Sequence, residues 1–228
     1  MMSPFNVKFI AALTCVLMAF GCARTVTLKE SAGTEITFSI TFNAAPSFIN
    51  YDYCIILGTN SFNLNSNLSS NYFFIPGESF NPTAVDTISN GAGLTHFYDN
   101  FFSTWSAILT LKATDLTLTK GPFSNSTATA QEHFNYTSSF QSLSSYSVNN
   151  NTISFTISLS DLGINSNTLY YSFVTRKGDN ILNTQDMASS IQSIQLIANS
   201  PPQTSRNDTS LFSPEAAAKI VSWTVTVQ

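Results

Sequence analysis

Charged residues are scarce in this chain. Asp, Glu, Lys and Arg make up 10% of the 228 residues, whereas 43% are hydrophobic. Ser, Thr and Asn supply roughly a third of the chain, well above average usage, so hydroxyl and amide groups must form most of the polar surface. The net charge is -4 and the cations are scattered. Because phosphate backbones are bound by clustered basic side chains, this composition excludes nucleic acid as a partner.

Side chains that usually perform catalysis are also few. The two histidines, His96 and His133, lie far apart and outside any HxH or HExxH motif. Pairs of Asp and Asn in loops are better explained by turn chemistry than by calcium binding. The chain has no GxSxG, SxxK, phosphate-loop or dinucleotide motif. We therefore predict a non-enzymatic protein without a metal or cofactor; a secreted hydrolase with an unrecognised pair of carboxylates is a further alternative.

Long apolar runs are absent after the N-terminal region. No segment after residue 21 has the 18 or more apolar residues that a membrane-spanning helix needs. The first apolar run covers about 13 residues, from Phe9 to Gly21, and follows the positive charge of Lys8. It is too short to span a bilayer, and it lacks the polar face of a helix in a globular domain. We predict that residues 1–21 form a signal peptide.

The end of this apolar run resembles the lipobox of bacterial lipoproteins. In Ala19-Phe20-Gly21-Cys22 a small residue precedes a cysteine, as in that family, although Leu is usual in place of Ala19 and a smaller residue in place of Phe20. The resemblance implies cleavage before Cys22 and attachment of fatty acids such as palmitate to it. Two or more acyl chains would anchor the protein stably. Ala23 stands where Asp would favour retention at the inner membrane. Ordinary signal-peptidase cleavage remains an alternative.

Cysteine usage agrees with this interpretation. The chain has 3 Cys, of which the signal peptide would remove Cys15 and lipid would occupy Cys22. Cys54 alone would then remain, so no disulfide could form within the mature chain. It lies in the apolar stretch YDYCIIL, and we expect it to be a small buried side chain.

Apolar and polar residues alternate in many segments after residue 34. Such alternation predicts half-buried strands, and the clearest cases are at 35–42, 149–163, 168–177 and 222–227. Further strands are predicted at 51–57, 101–111 and 115–120, and the stretch 72–82 begins with a short apolar strand that Pro76-Gly77 ends. The turn-rich spacers between them indicate an all-β fold, an antiparallel β-sandwich of the jelly-roll type, with a closed barrel as the alternative.

One short helix is predicted near the C-terminus. In SPEAAAKI, residues 213–220, Ser213 can cap a helix, Pro214 suits its first turn and Glu215 suits its positive end. The segment 184–198 is ambiguous between helix and strand. Its apolar residues have helical spacing at first, but apolar and polar residues alternate at its end. The predicted organisation is a signal peptide at 1–21, a tether at 22–34 and a single β-sandwich domain at 35–228.

Aromatic residues are abundant, with 19 Phe and 8 Tyr. A group of them between residues 97 and 105 flanks Asp99 and Asn100. Exposed rings beside such polar groups can stack on sugars and bind their hydroxyls. Tyr98, Asp99, Asn100 and Trp105 are therefore the candidate ligand-binding residues. The alternative is that these rings fill the core, with Tyr98 the ring that we most expect to be exposed.

Together these features predict a lipid-anchored protein of the bacterial cell envelope, at the outer membrane or cell surface rather than the inner membrane. Its predicted role is non-enzymatic: binding, adhesion or envelope structure. The expected partners are the membrane, through the lipid, and a carbohydrate or another envelope protein. A surface carbohydrate-binding module is the alternative function.

Overall fold

Two antiparallel β-sheets make up the described part of the chain. The computed structural model describes residues 33, 35–64, 73–76, 101–121, 123, 140–143, 146–178, 184–188, 190–206 and 214–228. The strands in these ranges are β1 Glu35–Phe42, β2 Tyr51–Gly58, β3 Ala107–Leu111, β4 Leu116–Lys120, β5 Phe140–Leu143, β6 Ser147–Asn149, β7 Thr152–Ser158, β8 Thr168–Lys177, β9 Thr184–Met187, β10 Gln192–Gln195, β11 Gln203–Arg206 and β12 Ile220–Val227. A 3₁₀ helix, Phe102–Thr104, and a short helix α1, Leu159–Leu162, complete them.

The sheets differ in size and are built from interleaved parts of the chain. The five-stranded sheet has the order β11-β12-β1-β7-β6. The seven-stranded sheet has the order β10-β8-β2-β3-β4-β5, and β9 pairs with β8 beside β10. Ser31–Gln228 form one compact unit. The prediction of an all-β sandwich is thus confirmed, with two sheets instead of the single closed sheet of a barrel.

Strand β1 shows how the alternating sequence produces the sandwich. Successive side chains of a strand point to opposite faces, so the apolar residues of EITFSITF share one face. Ile36, Phe38, Ile40 and Phe42 are all buried between the sheets, and the Thr and Ser residues between them face outward. Burial of each such side chain stabilises the fold by roughly 1.5–3 kcal/mol.

Aromatic rings fill the centre of this inter-sheet core. Phe38 stacks on Phe155 of the same sheet, with ring centroids 5.4 Å apart, and meets Tyr171 of the other sheet edge-on at 6.0 Å. Phe173 lies 5.2 Å from Trp223, which also crosses the gap between the sheets. These cross-sheet contacts determine how the two sheets are stacked.

A second apolar cluster covers the outer face of the seven-stranded sheet. Cys54 and Ile56 of β2 and Ile108 of β3 point away from the inter-sheet core and are buried under loop residues. The loop residues that cover them are Phe62, Phe73, Phe74, Ile75, Phe102, Trp105 and Phe123. Because β2 is covered on both faces, its segment 53–57 is continuously apolar. The expected burial of Cys54 is confirmed.

A sandwich corner joins β7 to β8. The side chain of Ser158 accepts a hydrogen bond from the Ser160 amide and begins α1, and Gly163 ends the helix with a φ of 64°. That left-handed conformation favours glycine. The chain then enters the other sheet, so the Asp161-Leu162-Gly163 segment turns the chain between the two sheets.

The prediction of a helix at 213–220 is wrong for the described part of that segment, residues 214–220. The Lys219 amide donates to the Glu215 carbonyl at 3.0 Å, which closes one turn, but β12 begins at once with Ile220. Ile220 pairs with Phe42 of β1. Pairing across the sheet therefore ends the helical turn that Pro214 and Glu215 favour, since tertiary contacts override a weak local preference.

Two other segments depart from their predictions, and the structure decides a third that the sequence left ambiguous. Phe73–Ile75 are buried but extend across the sheet as a loop and not as a strand. The strand predicted from residue 101 begins only at Ala107, after the 3₁₀ helix. The ambiguous segment 184–198 forms two short strands, β9 and β10, which follow one another along the edge of β8.

Candidate functional site

The residues predicted to bind lipid or ligand fall mostly outside the described ranges. Cys22, Tyr98, Asp99 and Asn100 all lie outside them. The structure does describe Trp105, and its side chain is only 3% exposed. These residues are therefore not seen to come together as a site.

Trp105 belongs to the core. Its Nε1 donates to the carbonyl of Asn63 at 2.7 Å, and its ring stacks on Phe73 with centroids 5.6 Å apart. Phe102 contacts the ring edge-on at 5.0 Å. An indole enclosed in this way offers no face to a sugar, so its assignment as a ligand-stacking residue is corrected. The cause is the 3₁₀ helix, which turns Trp105 onto the outer face of the seven-stranded sheet. Ala107, two residues later, points instead into the core between the sheets.

Two cavities lie at opposite ends of the sandwich. The first, of about 300 Å³, is at the end where β1 finishes, which we call the Phe42 end; Asn50, Tyr51, Lys177 and Glu215 line most of it. Burial, together with a hydrogen bond to the Glu215 carboxylate, raises the pKa of Tyr51 to about 12. The phenol therefore stays protonated and donates to that carboxylate. This cavity is polar and shallow, and its charges are one Glu and one Lys.

The second cavity, of about 260 Å³, is at the opposite end, which we call the Glu35 end. Ser106, Lys120 and Gly163 line it together with the edge of Trp105. Lys120 is the only charged side chain among its lining residues. Among the described residues, no group of three or more His, Cys, Asp or Glu is placed to hold a metal ion. No described helix is long and apolar enough to cross a membrane.

Buried charges in the fold have structural partners. Asp186 is fully buried; its Oδ1 accepts a hydrogen bond from the Met187 amide at 3.0 Å and its Oδ2 one from the Ile220 amide at 2.8 Å. These bonds tie β9, in one sheet, to the first residue of β12, in the other. Sequence reasoning missed this role, because nothing near Asp186 in the chain shows that residue 220 will lie beside it.

The outer face of the five-stranded sheet is lined with hydroxyl groups. On the three central strands β12, β1 and β7, nine outward residues pair in three rows, and all nine are Ser or Thr. At the Glu35 end of the same face, the exposed Glu35 of β1 pairs with Ser158 of β7. We call this surface the hydroxyl face; its rows are Thr226-Thr37-Thr156, Thr224-Ser39-Ser154 and Ser222-Thr41-Thr152. These nine side chains are neither charged nor aromatic.

Hydrogen bonds between neighbouring strands hold these hydroxyls in place. Three outward residues of β1 bond to their partners on β7: Thr37 to Thr156 at 2.7 Å, Ser39 to Ser154 at 2.8 Å and Thr41 to Thr152 at 3.0 Å. On the β12 side, the edge residue Thr204 bonds to Thr224 at 3.1 Å. The result is an ordered, uncharged surface of donors and acceptors.

The rim of the hydroxyl face is also polar. At the β6 edge, Ser147 pairs with Ser154 and Asn149 with Thr152. At the β11 edge, Arg206 pairs with Ser222 and adds one positive charge. Sequence reasoning identified the outward Ser and Thr of β1 as a polar face. It could not join them to those of β7 and β12, which lie more than 100 residues further along the chain.

In comparisons with known proteins, no family model, no curated protein and no solved structure matches this chain.

Proposed function

We propose that this protein is a lipid-anchored component of the bacterial cell envelope with a non-enzymatic binding, adhesion or structural role. The observation that carries the proposal is the apolar run ending in Gly21-Cys22, which resembles a lipobox. Fatty acids on Cys22 would anchor the chain without a spanning helix, since two acyl chains are enough for stable attachment. Ala23 favours the outer membrane or the cell surface.

The start of the folded body is compatible with a short tether from Cys22. The Gly33 amide donates to the Leu196 carbonyl at 3.3 Å, and the Glu35 amide to the Gln228 carbonyl at 3.3 Å, so the body begins at the Glu35 end. Gly33 lies eleven residues after Cys22 in the chain, a length that reaches at most about 40 Å when fully extended. We therefore propose that the Glu35 end lies nearer the membrane and the Phe42 end further from it. Ile49, which is 91% exposed, belongs to the Phe42 end.

The lipid anchor is tested by metabolic labelling with palmitate. Cells that express the full chain should label the protein, and Cys22→Ala should lose the label. Cys15→Ala is the matched control and should be labelled like wild type, because Cys15 lies within the apolar run. Equal labelling of wild type and Cys22→Ala would refute the anchor.

The location and the binding role need separate measurements. Protease treatment of intact cells should digest the anchored body if it is on the surface and spare it if it faces the periplasm. Protein found only in the inner-membrane fraction would contradict the proposed location. Broad screening for glycosidase and esterase activity should give no turnover, and turnover in either screen would favour the hydrolase alternative.

A surface carbohydrate-binding module is the second candidate function. Tyr98, Asp99 and Asn100 remain proposed ligand contacts, whereas Trp105 is removed from the set by its burial. The observation that favours carbohydrate is the hydroxyl face, because neutral hydroxyl groups match the donors and acceptors of sugars.

A further inference from the structure

We propose that the hydroxyl face binds an uncharged, hydroxyl-rich polysaccharide. This proposal rests on the binding role proposed above and specifies its ligand and surface. It does not depend on the lipid anchor, because the face belongs to the folded body.

The face is pre-organised for a repetitive ligand. Its residues recur about every 6.8 Å along each strand and about every 4.8 Å between strands. Thr37, Ser39 and Thr41 are each fixed by a bond of 3.0 Å or less to β7. Short side chains that are already held in position lose little conformational freedom when a ligand binds.

The hydroxyls retain hydrogen-bonding capacity for a ligand. A hydroxyl has one donor and two acceptor lone pairs. A bonded pair such as Ser39 and Ser154 uses one donor and one lone pair, which leaves one donor and three lone pairs for the ligand. Sugar hydroxyls can use both kinds of group, whereas a phosphate or carboxylate can only accept.

Charge on the face also favours a neutral polymer. The nine residues of the three rows are uncharged. The rim carries a cation, Arg206 at the β11 edge, and an anion, Glu35 at the start of β1. Strong binding of a polyanion needs several cations that displace counterions, as the nucleic-acid case shows. The face therefore matches an uncharged chain better than a charged one.

The size of the face favours a thin polymer over a protein partner. The three rows extend about 14 Å along the strands, and β12, β1 and β7 span about 10 Å across them, which gives roughly 130 Å² of surface, or roughly 270 Å² with the β6 and β11 rim. A stable protein interface buries about 800 Å² on each partner. A second copy of this chain would thus need much more surface than the face provides, whereas a polysaccharide chain can lie along it and continue beyond its edges.

Each contact on this face should be weak, because hydrogen bonds to the ligand replace hydrogen bonds to water. We therefore expect negligible binding of monosaccharides and measurable retention by long polymers. Many anchored copies on one surface would strengthen attachment further through multivalency.

The experiment is affinity gel electrophoresis of the full chain, purified in detergent from whole-cell extract so that anchored and unanchored protein are both recovered. The gels contain dextran, mannan or xyloglucan as neutral polymers, or alginate as a charged one, and pull-downs on insoluble cellulose and chitin extend the series. The double variant Thr41→Val with Thr152→Val keeps the shape and strand preference of the face and removes two hydroxyls. We expect it to reduce the retardation by a neutral polymer at least five-fold.

Matched variants identify the surface that binds. Thr114→Val with Thr168→Val makes the same chemical change away from the face and should be retarded like wild type. Ser39→Glu places a charge and a longer side chain at the centre of the face and should abolish retardation, provided that thermal unfolding shows that each variant is folded.

Several results would overturn the proposal. They are equal retardation of wild type and the Thr41/Thr152 variant, retardation by alginate alone, and lack of retention of wild type on every neutral polymer. Palmitate labelling is measured independently, so loss of the anchor and loss of polysaccharide binding are distinguishable failures.

Discussion

Arg176 and Asp52 are cross-strand partners on β8 and β2, and their side chains form a buried ion pair. The Nη2 and Nε of Arg176 donate to Oδ2 of Asp52 at 2.7 and 3.1 Å. The Arg176 side chain is 1% exposed and that of Asp52 13%. Nη1 of Arg176 also donates to the Phe73 carbonyl at 3.1 Å. The pair thus fastens the loop at Phe73 to the outer face of the seven-stranded sheet.

Removal of one partner of this ion pair should destabilise the protein strongly. Asp52→Ala would leave the buried guanidinium without its carboxylate, and we expect a loss of about 3 kcal/mol in the free energy of unfolding. The measurement is urea denaturation followed by tryptophan fluorescence. The double variant Asp52→Leu with Arg176→Met should be more stable than Asp52→Ala, because it buries no charge at this position. A single variant as stable as wild type would contradict this role of the pair.

The buried carboxylate of Asp186 should matter as much as the ion pair. Asp186→Ala removes the acceptor for two backbone amides, those of Met187 and Ile220. Because each buried donor left without its partner costs about 1–3 kcal/mol, we expect the two donors together to cost about 2–6 kcal/mol of the free energy of unfolding in a denaturant titration. Asp115→Ala, in the exposed β3–β4 turn, is the control and should change stability by less than about 0.5 kcal/mol.

Substitution of Trp105 should affect stability and leave polysaccharide binding unchanged. Trp105→Ala empties a large buried site and should cost about 3–5 kcal/mol. Trp105→Phe keeps a ring against Phe73 and loses the hydrogen bond to Asn63, so its effect should be smaller. Normal stability of Trp105→Phe combined with lost retention on neutral polymers would restore Trp105 as a ligand contact.

Stability should fall at alkaline pH through buried tyrosine. Burial in the inter-sheet core raises the pKa of Tyr171 to about 12, above the ordinary value of 10.0. Between these two values the unfolded tyrosine has released its proton and the folded one has kept it. Stability therefore decreases as the pH rises from 10 towards 12. Thermal unfolding of wild type and Tyr171→Phe from pH 8 to 11.5 checks this, and the variant should show the flatter decline; parallel curves would contradict it.

The candidate site was only partly predictable from sequence. Alternation placed Thr37, Ser39 and Thr41 on the outward face of β1, because strand side chains have a period of two. The hydroxyl face required a further fact, namely that β1 pairs with β7 on one side and β12 on the other. The assignment of Trp105 to the ligand site failed because an aromatic pattern does not reveal which rings a loop will bury.

The local sequence was enough to identify the most regular strands and to show which of their side chains point into the core. β1, β7, β8 and β12 lie where the alternation predicts them, since the inward side chains of each meet the apolar core. Continuous apolarity likewise predicted the burial of β2.

Long-range pairing decided the rest. It turned residues 215–219 into a single turn before β12, brought Asp186 beside Ile220 and Arg176 beside Asp52, and assembled one hydroxyl surface from three distant strands. The physical reason is that a hydrogen-bonded neighbour in a sheet is chosen by the core that both strands share, and residues far apart in the chain contribute to that core.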